Sequence, residues 1–129
     1  MDTSSYLTRR FTVAADDTAL AVGSGTLPVL GTPRLIAWME AVTCEAIGPS
    51  LPQGGTSVGT RIDVEHLAPS AVGAEVEVQV SLAYLDGRLH RFTVSARNVV
   101  DDKPVQVVGS GEITRVVVDT EKFMSRVTG

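Results

Sequence analysis

Two side chains sit where packing alone would not place them. Glu40 lies in GTPRLIAWMEAVTCEAI, residues 31–47, where apolar residues recur at helical spacing. Ile36 falls one turn before it and Cys44 one turn after, so the carboxylate rides on an apolar stripe. His66 lies in TRIDVEHLAPS, residues 60–70. There Ile62, Val64 and His66 share one strand parity, while Arg61, Asp63 and Glu65 share the other. An inward carboxylate and an inward imidazole are what general acid–base chemistry needs. Read singly, each has a plain structural account: a hydrogen-bonded core histidine, and a glutamate at the solvated edge of a helix. Read together they point to chemistry, because burying a carboxylate without a partner is costly and imidazole changes charge near neutrality.

The elements that would position them follow from the pattern. Residues 10–22 begin with alternation (Phe11, Val13, Ala15) and fray into a turn near Asp16-Asp17. Residues 23–31 hold three glycines and a proline and read as a loop. Thr32-Pro33 is a suitable helix start, with Thr32 as the N-cap, and Gly48-Pro49 a suitable stop. The helix between is apolar on most sides, which predicts a largely buried one. After the loop at 49–55 the period changes to two. TSVGTRIDVEHLAPS, AEVEVQVSLAYLDG, RLHRFTVSARNVV and VQVVGSGEITRVVVD read as four long antiparallel strands, with turns at Asp86-Gly87 and Asp101-Asp102. Gly109 and Gly111 share one face of the last strand, which allows a close approach there. TEKFMSRVTG reads as a short terminal helix or tail. One apolar helix among long strands predicts an α+β fold, a central helix wrapped by a curved antiparallel sheet, with residues 1–129 as a single domain.

Composition narrows the function. The chain has 129 residues, 43% apolar and 20% charged, with a formal net charge of −4. No basic stripe is present, which argues against nucleic-acid binding. A lone cysteine, Cys44, permits no intrachain disulfide and no Cys/His metal spacing, so a buried packing role is expected for it. The opening MDTSSYLTRR lacks the apolar core of a signal peptide, and no apolar run reaches membrane-spanning length. A cytoplasmic protein that does not enter the membrane is expected.

The whole pattern resembles the hotdog fold and, in detail, the thioesterases related to fluoroacetyl-CoA thioesterase. The similarity rests on GTPRLIAWMEAVTCEAIGPSL, SVGTRIDVEHLAPSAVGAEVEV, DGRLHRFTVSARN and VGSGEITRVVVDTEKF, roughly residues 30–125. The resemblance implies a catalytic Thr, Glu and His at Thr32, Glu40 and His66, and substrate-contacting residues at Gly59 and Arg115. It implies hydrolysis of an acyl-CoA or carrier-protein-bound thioester with no cofactor and no metal. It also implies a homodimer or larger homo-oligomer with sites at subunit interfaces. Glu40 would attack the carbonyl or activate water, His66 would move protons, Thr32 would orient Glu40 or donate to substrate, and a backbone N–H near Gly59 would serve the oxyanion.

Geometry adds a constraint. On one straight helix Thr32 and Glu40 stand about 12 Å apart along the axis, too far for a direct contact. Either Thr32 folds back on a loop, or two chains build the site. Unlike the fluoroacetyl-specific enzyme, the segment before Thr32, ALAVGSGTLPVLGT, has no aromatic residue. An aromatic lid is therefore absent, and Leu27, Val29 and Leu30 are candidates to line an acyl pocket instead. Arg88, Arg91 and Lys103 are candidates for the CoA phosphates. Two other functions compete. A hotdog hydratase or dehydratase would pair an Asp with the His, which HLAPS does not do. A non-catalytic acyl- or polyketide-binding module would bind without turnover.

Overall fold

The structure is a computed structural model that describes residues 5–128. Five strands form one antiparallel sheet in the order β1-β3-β4-β5-β2. They are β1 (Leu7–Thr12), β2 (Gly55–His66), β3 (Glu75–Asp86), β4 (Leu89–Val100) and β5 (Lys103–Asp119). The short α1 (Ala19–Val22) precedes the long α2 (Thr32–Ile47), and α3 (Thr120–Thr128) follows β5. No helix among the described residues is long and apolar enough to cross a membrane.

The expected wrapping of helix by sheet is what forms. Leu35, Trp38, Met39, Val42 and Ile47 of α2 are buried against Val76, Val78 and Val80 of β3, Phe92, Val94 and Ala96 of β4, and Ile113 of β5. Removing a fully buried side chain of this kind from water stabilises the fold by roughly 1.5–3 kcal/mol before entropy is counted. Trp38 also stacks on Phe11 of β1, with centroids 4.8 Å apart and planes 8° from parallel, a geometry that aromatic pairs favour.

The sheet closes tightly because two glycines on β5 let it. A Cβ on Gly111 would stand 2.0 Å from the Asp63 carbonyl oxygen of β2. One on Gly109 would stand 2.8 Å from the Glu65 oxygen and 3.1 Å from the Leu35 side chain of α2. Strand β2 and the helix both press on this stretch of β5.

Three local readings are corrected. Gly31, not Thr32, occupies the N-cap of α2, and Thr32 is already helical. The strand read from residue 10 ends at Thr12 and gives way to α1 within residues 10–22, while the loop at 23–31 stands, pinned by bridges Thr18–Leu30 and Val29–Ala71. The helix is not buried all round either. Ala37, Ala41 and Cys44 are exposed beside half-buried Ile36 and Glu40, so one small-residue face of α2 is uncovered in the single chain. Cys44 is therefore not the buried packing thiol expected.

Strands β1 and β2 are the sheet's edges. Edge β2 carries Ile62, an apolar residue that is 39% exposed although it shares a face with buried Ile113 opposite.

Candidate functional site

The expected site residues gather at two places along β2. At its C-terminal end, β2 delivers His66 to the start of α2. Thr32 Oγ1 and His66 Nδ1 are 2.7 Å apart, a short hydrogen bond. Freed from capping, the Thr32 hydroxyl is spent on the imidazole. The other ring nitrogen, Nε2, is buried and has no hydrogen-bond partner among the described residues, the mark of a group awaiting something outside it. Burial pushes the His66 pKa below the ordinary histidine value, offset in part by a hydrogen bond with the Ala68 backbone. The imidazole is thus neutral at neutral pH. In the tautomer that carries its proton on Nδ1 and donates it to Thr32, Nε2 presents a lone pair that can take a proton. The pair opens on a cavity of about 500 Å³ whose walls include Ala19, Leu27, Val29, Leu30 and Leu67. The three aliphatic residues expected to line an acyl pocket do line this one.

Toward the N-terminal end of β2, the second cluster forms around Arg115. Its parity on β5 matches Gly109, Gly111 and Ile113, and it points inward with only 5% exposure. Arg115 Nη1 donates to Glu40 Oε2 at 3.3 Å. Nε donates to Ser57 Oγ at 2.9 Å, and Nη2 to the Ser57 carbonyl at 3.2 Å. Gly59 stands opposite Arg115 in the β2–β5 register. A Cβ there would lie 2.5 Å from Glu40 Oε2 and 3.5 Å from Arg115 Nη1. Gly59 thus makes the room in which the carboxylate sits, which answers why a strand should carry glycine there. Ser57 has no counterpart in the sequence reading. Its only signal is position: two residues before Gly59, on the same face.

Within one chain the two clusters do not meet. Glu40 is absent from the walls of the Thr32–His66 cavity. Thr32 and Glu40 lie two turns apart on a continuous helix, about 12 Å along its axis. Gly59 and His66 are seven residues apart on β2, roughly 20 Å of extended strand. The possibility that Thr32 folds back on a loop is excluded by its place inside α2. Of the basic residues expected to meet CoA phosphates, Arg91 lies over the Tyr84 ring, 5.0 Å from its centroid. Arg88 lines a separate cavity of about 360 Å³ with Gly55 and Asp119.

Comparison with known proteins places this arrangement. The family model described as fluoroacetyl-CoA-specific thioesterase matches residues 13–121. The fluoroacetyl-CoA thioesterase of Streptantibioticus cattleyicolor is 35% identical over 99 residues, covering 77% of this chain and 68% of that protein. A solved structure of fluoroacetyl-CoA thioesterase superposes with a TM-score of 0.89 at 29% identity, over 98% of this chain and 95% of that one. A hot-dog-like protein from Thermanaerovibrio acidaminovorans superposes with a TM-score of 0.84 at 28% identity, over 95% and 87% of the two chains. The helix-wrapping sheet is thus the hotdog fold, and the chain belongs to the family of fluoroacetyl-CoA-specific thioesterases.

Proposed function

We propose that this protein is an acyl-CoA thioesterase whose active site is completed by a second copy of the chain. Water and the thioester give a free carboxylic acid and CoA thiol. The observation that carries the composite site is the placing of complementary half-sites at two points along one edge strand, β2, which pairs with β5 on its inner side only. The peptide between Ile62 and Asp63 lies midway between Gly59 and His66. Antiparallel pairing of β2 with a second β2 about a two-fold axis near that point would bring the Gly59 end of each strand to the His66 end of the other. Glu40 and Arg115 would then face the partner's Thr32 and His66, twice per dimer. The same pairing would cover exposed Ile62, remove an open strand edge, and give the uncovered face of α2 a neighbour.

In that site Glu40 supplies the carboxylate, as nucleophile on the carbonyl or as base toward water. The partner's His66 moves the proton between the attacking group and the departing sulfur. A backbone N–H near Gly59 serves the oxyanion, unobstructed by a side chain. The acyl group enters the aliphatic cavity beside Thr32. With no aromatic residue in its wall segment, that cavity suits acyl groups larger than fluoroacetyl.

A mixing experiment tests the reading. Acyl-CoAs of graded size are supplied with a thiol-detecting dye. Glu40→Ala and His66→Ala should each abolish thiol release. Coexpressed, the two inactive chains should recover activity, because each mixed dimer rebuilds one intact site out of two. Random pairing makes half of the dimers mixed, so about a quarter of wild-type activity is expected. No recovery from mixtures shown to contain mixed dimers would mean that each site is built within one chain.

A further inference from the structure

We propose that Ser57 is a positioning residue for the reaction, holding Arg115 so that its remaining edge meets the Glu40 carboxylate. The inference rests on the assignment of Glu40 and Arg115 to the site.

Arginine is a long side chain whose planar head has five donors in a fixed fork. Its usefulness depends on which edge of that plane faces the carboxylate. Here one residue occupies one edge twice: Ser57 Oγ takes Nε at 2.9 Å, and the Ser57 carbonyl takes Nη2 at 3.2 Å. Two acceptors on one edge fix both the tilt and the reach of the plane. Nη1, on the other side, then points at Glu40 Oε2, 3.3 Å away. That contact is long for a charge-assisted hydrogen bond, so it does not set the geometry by itself. Burial makes the Ser57 contacts matter more, since Arg115 is 5% exposed and water cannot take their place.

Ser57 reaches Arg115 because β2 and β5 pair in register. Ser57 lies opposite Val117 and Gly59 opposite Arg115, so both β2 residues face inward. The strand segment that makes space for the carboxylate through Gly59 thus also orients the guanidinium through Ser57. The carbonyl contact belongs to the backbone and survives mutation. The hydroxyl contact is the part chemistry can remove.

The test compares two β-branched residues of nearly equal shape. Ser57→Thr keeps the hydroxyl, and Ser57→Val replaces it with a methyl. The valine variant should lose about 10- to 100-fold in kcat, the range expected for a misplaced catalytic group, with KM changed less than about 3-fold. The threonine variant should keep more than about a third of wild-type kcat, and Ser57→Ala covers the case in which valine does not fold. Equal kcat in the valine, alanine and wild-type proteins would overturn the proposal. So would a loss confined to KM, or an equal loss in the threonine and valine variants. If Glu40→Ala retains full activity in the same assay, the assignment of the site fails instead, whatever Ser57 does.

Discussion

The two clusters along β2 are built on opposite plans. At the Glu40 end the side chains are charged and held: a buried guanidinium is fastened by three hydrogen bonds, and a glycine leaves only enough space for a carboxylate. At the Thr32 end they are neutral and open: one hydroxyl–imidazole hydrogen bond faces a cavity of about 500 Å³ with aliphatic walls. The first plan resists displacement, which suits a group that must meet a carbonyl at a fixed angle. The second leaves a nitrogen without a partner and room beside it, which suits a group that exchanges protons next to a variable acyl chain. Within one chain the cavity is lined from the segment around α1 and from the stretch that follows β2, and Ser57, Gly59 and Arg115 are not among its walls.

The sharpest way to break the held end alone is Gly59→Ala. The added methyl would land 2.5 Å from Glu40 Oε2, at the far end of a flexible side chain. The carboxylate must move, while the backbone need not. Activity should fall about 100-fold, as expected for a displaced reacting group. The melting temperature should change by less than about 5 °C, since the site is not a tightly packed core position. An unchanged kcat would show that Glu40 does not work from the place where it is seen.

At the open end the matching change is Thr32→Val, which keeps the shape and removes the hydroxyl. His66 Nδ1 then loses its side-chain partner, and the ring is less firmly oriented. A loss of about 10-fold in kcat is expected, smaller than at Gly59, because the imidazole is left in place but loosely oriented. The same variant tests the corrected helix start. Were Thr32 the N-cap, losing its oxygen would cost about 1 kcal/mol of stability. Because Gly31 holds that position, thermal denaturation should show little change.

These two changes also mark what the sequence could and could not disclose. Arg115 came from the family resemblance and not from the strand pattern alone, although its parity matches Gly109, Gly111 and Ile113, with which it lies on the covered face. The separation of Thr32 from Glu40 was legible, because helical rise is a fixed quantity. Thr32 itself was misread. Gly31 and Thr32 are both acceptable caps, and the choice was made by an imidazole thirty-four residues away. Ser57 was invisible because a serine on a strand has no periodic signature, and its meaning comes from the register of β2 on β5. Cys44 and its neighbours read as core because apolar spacing reports that a helix face will be covered, not which chain covers it. The carboxylate on the apolar stripe belongs to the same case: Glu40 marks the margin between the face covered by its own sheet and the face left open.

The smallest expected effect is a displacement along the pH axis. His66 has its pKa lowered from the ordinary histidine value, mainly because burial disfavours the charged ring. A proton acceptor must be neutral, so activity is lost as pH falls through the pKa of the folded protein, not through that of a free histidine. The acid limb of log kcat/KM should therefore lie below about 6.5. The sign for stability is the same. Folding lowers this pKa, so the folded chain binds fewer protons than the unfolded one just below that value, and His66 withdraws stability as the pH drops through the window. His66→Gln, which removes the titration, should flatten this part of the stability curve in denaturant titrations. Widening the cavity sharpens the contrast: Leu27→Ala lets water nearer the ring, so the acid limb should move up toward 6.5 without a large loss at neutral pH. An acid limb already at the free-histidine value in the wild-type enzyme would mean that His66 is better solvated than its buried Nε2 indicates, and this part of the contrast between the held end and the open one would have to be abandoned.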